Sequence, residues 1–166
     1  MPLIGSTDDH LADDASTLGP ITIERIGQML SALEINYGHE PEGEIIVGMD
    51  GHLCWFGVGG PGEGTVALIF DARWERTLTT DKLDEALALV NDWNQNATFP
   101  RAMVAVDQDG NVLLGADHAR DCEFGITDMQ LRNEILIAIS TTVGYWKMLD
   151  ERFPAEAAQD GAQLEG

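Results

Sequence analysis

The stretch GVGGPGEG, Gly57 to Gly64, contains a literal G-x-G-x-x-G at Gly57, Gly59 and Gly62, and TVALIFDARW (65–74) follows at once. A dinucleotide site needs those glycines between a strand and a helix whose N-terminus faces the pyrophosphate. Here the following run alternates as a strand does. Val66, Leu68, Phe70, Ala72 and Trp74 share one face; Ala67, Ile69, Asp71 and Arg73 share the other. Glu63 has the wrong sign for a phosphate, Pro61 lacks a backbone donor, and no lysine precedes Lys82 to complete a P-loop. The segment is therefore expected to connect two strands of a hairpin, and a nucleotide-binding α/β fold is set aside.

Working outward, EIIVGM (44–49) and HLCWFGV (52–58) read as strands joined by Asp50-Gly51, a pair suited to a type I′ turn. Upstream, Ile23, Ile26, Leu30 and Leu33 recur at helical spacing, predicting a helix that ends near Gly38. Downstream, a helix capped by Thr80 or Asp81 carries Leu83, Leu87, Val90 and Ala97, and Pro100 ends it. RAMVAVD and NVLLGAD predict a second hairpin around Asp109-Gly110. Thr127-x-x-Gln130 is a capping-box pattern opening a long helix towards Pro154, with Gly144 a point of loosening. The order α-β-β-β-α-β-β-α predicts an α+β domain, an antiparallel sheet with helices packed on it. Residues 1–20 read as an acidic mobile arm, 21–154 as a single domain and 155–166 as a flexible tail.

Charge narrows the partners. With 29 acidic against 9 basic residues and a formal charge of −20, the chain lacks the cations that nucleic acid or an anionic membrane requires. A basic protein partner, or simple solubility, fits better. No run approaches a membrane span, the N-terminus has no signal-peptide pattern, and Cys54 and Cys122 do not make a disulfide framework, so cytoplasmic residence is expected.

Chemistry-bearing residues are few. His52-x-Cys54 and His118-x-x-x-Cys122 could supply four zinc ligands, or a thiol nucleophile with a base, giving a metal- or thiol-dependent enzyme as the alternative reading. Neither pair has tight metal spacing. On the blander reading Cys54 is a small core residue, His52 sits at a turn exit, and His118 and Cys122 lie in a polar loop. Asp107-x-Asp109-Gly110 has its glycine too early for a calcium loop, and His118 falls where a bidentate glutamate belongs. The domain's serines, Ser31 and Ser140, lie inside predicted helices and away from any nucleophile elbow. No catalytic residue, cofactor or metal is assigned.

Apolar groups on both faces of 65–74, and the run Ile135 to Ile139, ask for more cover than one small domain offers. The expectation is a homodimer, or a module that binds another protein. Trp55, Trp74, Trp93 and Trp146 read first as core packing; the interface candidates are Trp55, Trp74, Ile135, Ile139 and Trp146.

Three stretches carry a resemblance: ITIERIGQMLSALEINYG, ALALVNDWNQNATFPRAMVAVDQDGNVLLG and GITDMQLRNEILIAISTTVGYWKMLDERFP, with VNDWNQN as the most specific piece. Across nearly all of 21–154 the chain resembles the YbjN family, labelled as bacterial sensory transduction regulators. The resemblance implies a fold similar to type III secretion chaperones, which are small, acidic, typically homodimeric binders of unfolded partner segments. It implies no catalytic residues. Asn91 and Asn94 are read as structural, satisfying backbone groups where the helix ends.

Overall fold

A computed structural model describes residues 17–60 and 66–154. The arm expected at 1–20, apart from its last four residues, the tail from 155, and residues 61–65 of the glycine-rich connection lie outside the described residues.

Six strands form one sheet: β1 (Gly38–His39), β2 (Ile45–Met49), β3 (His52–Gly59), β4 (Ala67–Leu78), β5 (Arg101–Val106) and β6 (Val112–Asp121). Their spatial order is β1-β2-β3-β4-β6-β5, and all neighbours are antiparallel. Helices α1 (Ile23–Ala32), α2 (Leu83–Asn96) and α3 (Asp128–Arg152) complete an α+β domain. Gly59 of β3 pairs with Ala67 of β4, so the glycine-rich segment joins two antiparallel strands and opens no helix. Among the described residues no helix is long and apolar enough to cross a membrane.

Local chemistry explains most boundaries. Asp50 (φ 52°) and Gly51 (φ 78°) both take the left-handed conformation that a type I′ turn demands. Thr127 and Gln130 form the reciprocal capping box, and α3 then runs unbroken for 25 residues. Gly144 does not loosen it: a Cβ there would meet open space, and the roughly 1 kcal/mol cost of a helical glycine is outweighed by packing on the opposite side. Helix α1 stops earlier than its apolar spacing predicts. Glu34 adopts φ 59° and reverses the chain, and Gly38–His39 become an unanticipated edge strand.

Two strands overrun their predicted ends. A register shift between Arg73 and Thr77 lets β4 continue to Leu78, and β6 reaches Asp121. His118 is therefore a strand residue paired with Phe70, not part of a polar loop.

The helices lie on one face of the sheet. Phe56 and Phe70 meet there at 5.0 Å between ring centroids, and Trp93 of α2 meets Tyr145 of α3, also at 5.0 Å. Inward residues Ile45, Val47, Cys54, Leu68, Ala72, Leu114 and Ala116 pack with Ile26, Leu30, Val90, Leu131, Ala138 and Leu149 of the helices. Each large apolar side chain so buried contributes about 1.5–3 kcal/mol. Trp74, Ile135 and Trp146 belong to this core, at 1%, 0% and 2% exposure. Their side chains are covered within the subunit, as core packing requires. The apolar breadth that suggested a second subunit is instead absorbed within the subunit, because α3 is wedged against both the sheet and α1.

Candidate functional site

Among the described residues, the sheet's other face carries no helix. Its register places Gly38, Ile46, Trp55, Asp71, Asp117 and Arg101 in one row crossing all six strands. Trp55 is half-buried near the centre, with Ile46, Leu53 and Ile69 half-buried around it and Met103 37% exposed. The Arg73 guanidinium lies 5.4 Å from the Trp55 ring centroid, a cation–π contact, and its Nε donates to Glu75 at 2.6 Å. Arg101 grips Asp117 through two donors. Burial, helped by the Asp117 and Glu44 carboxylates, pushes the Asp71 carboxyl upward, partly opposed by Arg101. An amphipathic indole among apolar neighbours, ringed by paired charges, suits protein contact better than bond-making chemistry.

The two ends of the sheet differ. At β5, the Asn94 amide donates to Ala102 O at 3.1 Å and accepts from Ala102 N–H at 2.8 Å, pairing with that edge at one residue as a strand would. Trp93 Nε1 donates to Pro100 O at 3.0 Å. The structural reading of Asn94 thus has a geometry, while Asn91 is simply exposed. At β1 a groove of about 770 Å³ separates the strand from α1, lined by Glu24, Gly27, Gln28, Tyr37 and His39.

The four residues of the enzyme alternative do not converge. His52 and His118 lie two strands apart in the sheet order and four residues apart in register, on the order of 15 Å by strand geometry. Among the described residues no group of three or more His, Cys, Asp or Glu could hold a metal ion. The Cys54 thiol, its Sγ 3.6 Å from Val47 O, is pushed up to about 12 by burial, and Cys122 is also buried. Neither thiol resembles an activated nucleophile.

Each histidine has its own partners instead. Glu75 N–H donates to His52 Nδ1 at 3.0 Å, and Arg76 Nη1 sits 2.7 Å from Nε2. Asp150 Oδ2 lies 3.8 Å from the same nitrogen, and the Trp146 ring packs 4.9 Å away. Burial first, then the Arg76 charge, holds His52 below its ordinary value. His118 Nε2 lies 3.1 Å from Glu134, which also binds Arg120, and Phe99 contacts the His118 ring at 4.4 Å. Sequence reasoning missed Arg76, Glu134 and Asp150, since only the folded register brings them to the histidines.

Of the interface candidates, Trp55 alone lies on the open face; Ile139 is half-buried on α3.

No curated protein matches the chain. Among solved structures, the crystal structure of YbjN from E. coli, described as "a putative transcription regulator", superposes with a TM-score of 0.56 at 13% identity, covering 74% of this chain and 86% of that one. At that identity the likeness concerns the fold. The sequence profile of YbjN, described as "Putative bacterial sensory transduction regulator", matches residues 22–151, which takes in every strand and all but the last residue of α3. With most of its length under that profile and its fold shared with a solved member, the chain belongs to the YbjN family.

Proposed function

We propose that this protein is a non-enzymatic interaction module with a regulatory or chaperone-like role, which holds a protein partner against the open face of its sheet. The observation that carries the reading is Trp55, a half-buried indole at the centre of a helix-free face. The regulatory descriptions of the family and of its solved member agree with it. A surplus of acidic residues favours a basic client. Cytoplasmic residence and a homodimer belong to the same proposal, with Ile139 and the neighbouring Ile137, 38% exposed, as the α3 positions left to meet a second copy.

A photo-cross-linking residue placed at Trp55, in the host cell, tests the reading against the same residue at exposed Gln95 of α2. A discrete adduct from position 55 and none from 95 supports it. Equal labelling at both positions overturns it.

A further inference from the structure

The groove between α1 and β1 has a shape and a charge that the open-face reading leaves unused. β1 is the outermost strand, and Glu40 N–H bonds Glu44 O at 2.8 Å, which fixes the alternation of its ladder. Gly38 then also bonds inward to Ile46, and the N–H and C=O of His39 point away from the sheet. Neither has a partner among the described residues. On the opposite edge, Asn94 pairs with the backbone of Ala102 alone.

The helix side of the groove is Ile23, Glu24, Gly27, Gln28 and Ser31, mostly small or polar where a helix facing a core would be apolar throughout. Gly27 keeps the helix close to the strand: a Cβ there would come within 2.8 Å of the Tyr37 hydroxyl. A helix beside an unpaired strand edge is the geometry that receives an extended peptide as an added strand, its alternate side chains entering the groove.

The electrostatics select the peptide. No lysine or arginine occurs between Arg25 and Arg73, whereas Glu24 lines the groove, and Glu42 and Glu44 line an adjoining cavity that shares Ile23 and Gly43 with it. Arg25 itself is turned away, bound to Asp128, Pro20 O and Ile126 O. The chain's own ends do not suit the groove: Asp8, Asp9, Asp13 and Asp14 at one end, and Glu156, Asp160 and Glu165 at the other, would meet like charge. We propose that the α1–β1 groove docks an extended, lysine- or arginine-bearing segment of another protein as a further strand outside β1. The inference rests on the chain being a protein-binding module but places the contact away from Trp55.

Amide NMR on the isotope-labelled full chain provides the test. The probe is a capped peptide of about seven residues alternating lysine and threonine, titrated to about 5 mM to capture weak strand addition. Shifts confined to Ser31, Tyr37, His39 and Gly43 are expected. The apparent Kd should weaken at least about tenfold in roughly 0.5 M NaCl, where the Debye length is about 4 Å. Glutamate in place of lysine in the peptide should abolish the shifts. His39→Pro removes the outward donor and also the imidazole that meets the Tyr37 ring at 5.6 Å, so His39→Ala, which keeps the donor, is its control. The proline variant should abolish binding and the alanine variant should not, with both spectra otherwise folded; Glu42→Lys with Glu44→Lys should abolish binding by charge. No shifts, or shifts that survive His39→Pro, would overturn the groove while leaving the cross-link at position 55 to judge the open face. Shifts centred on Trp55 and Asp117 would also overturn the groove, and would support the open face directly.

Discussion

Trp74 Nε1 donates to Asp150 Oδ1 at 2.9 Å, tying the middle of β4 to the last turn of α3 across 76 residues of sequence. The same carboxylate lies 3.6 Å from Arg76 Nη1 and 3.8 Å from His52 Nε2, so one acid accepts from the indole and faces two further nitrogens at ion-pair distance.

Asp150→Ala should therefore cost about 2 kcal/mol, the scale of losing a hydrogen bond to a charged acceptor and leaving an indole N–H unpaired. Urea unfolding at neutral pH measures it. A midpoint unchanged from wild type would mean that solvent already satisfies Trp74.

His52 should make stability depend on pH. Its Nδ1 already accepts from Glu75 N–H, so a second proton would break that bond, and burial with the Arg76 charge lowers the folded value below 6.5. The unfolded chain then takes up a proton first. The contribution is full above about 6.5 and declines as pH falls from there through the folded value. Wild type should lose more stability than His52→Gln between pH 7 and about pH 5. Parallel slopes for the two proteins would remove His52 as the cause.

Ile135 and Ile137 separate folding from assembly. Ile135 is 0% exposed, and Ile135→Ala should cost about 2–5 kcal/mol whatever the oligomeric state. Ile137 is 38% exposed, so Ile137→Glu should leave thermal stability nearly intact and convert a dimer to a folded monomer. Light scattering during size-exclusion chromatography reads the outcome. A wild-type monomer would end the dimer proposal.

Gly125 should not tolerate a side chain. It has φ 89°, and a Cβ would come within 2.8 Å of Gly19 O, the acceptor of Ile126 N–H. Gly125→Ala should cost about 1–2 kcal/mol in backbone strain and undo the bridge that pins residues near Gly19. Faster proteolysis near Pro20, together with a lower Tm, is the expected pair of changes. Wild-type resistance would show that the segment is held by contacts other than this bridge, such as those of Arg25 and the buried Ile21.

Much of the fold was legible where a local rule governs. Asp50-Gly51, the Thr127–Gln130 box and the alternation of 65–74 each state their own geometry. What escaped reading depended on distant partners. Polar Glu75 and Arg76 look like the end of a strand, yet they occupy a bulge that β6 accommodates, and His52 and Asp150 receive Arg76 inside. Gly38–His39 is too short for any period to register, and it exists only because β2 is beside it. For the candidate site, Trp55 could be named from sequence because strand alternation sets it opposite Cys54 and Phe56. Trp74 and Trp146 have the same composition signal, and only the packing of α3 tells them apart from a surface residue.

The strand order has a consequence for biosynthesis. β6 slots between β4 and β5, although it is the last strand in the chain. While the polypeptide emerges, β4, the longest strand at 12 residues, spends the whole synthesis of α2 and β5 with one bare edge. Such an edge invites pairing with a neighbouring nascent chain. Asp71, Arg73, Glu75 and Arg76 interrupt its apolar residues and act as gatekeepers, guarding a vacancy that exists only until residue 121 has left the ribosome.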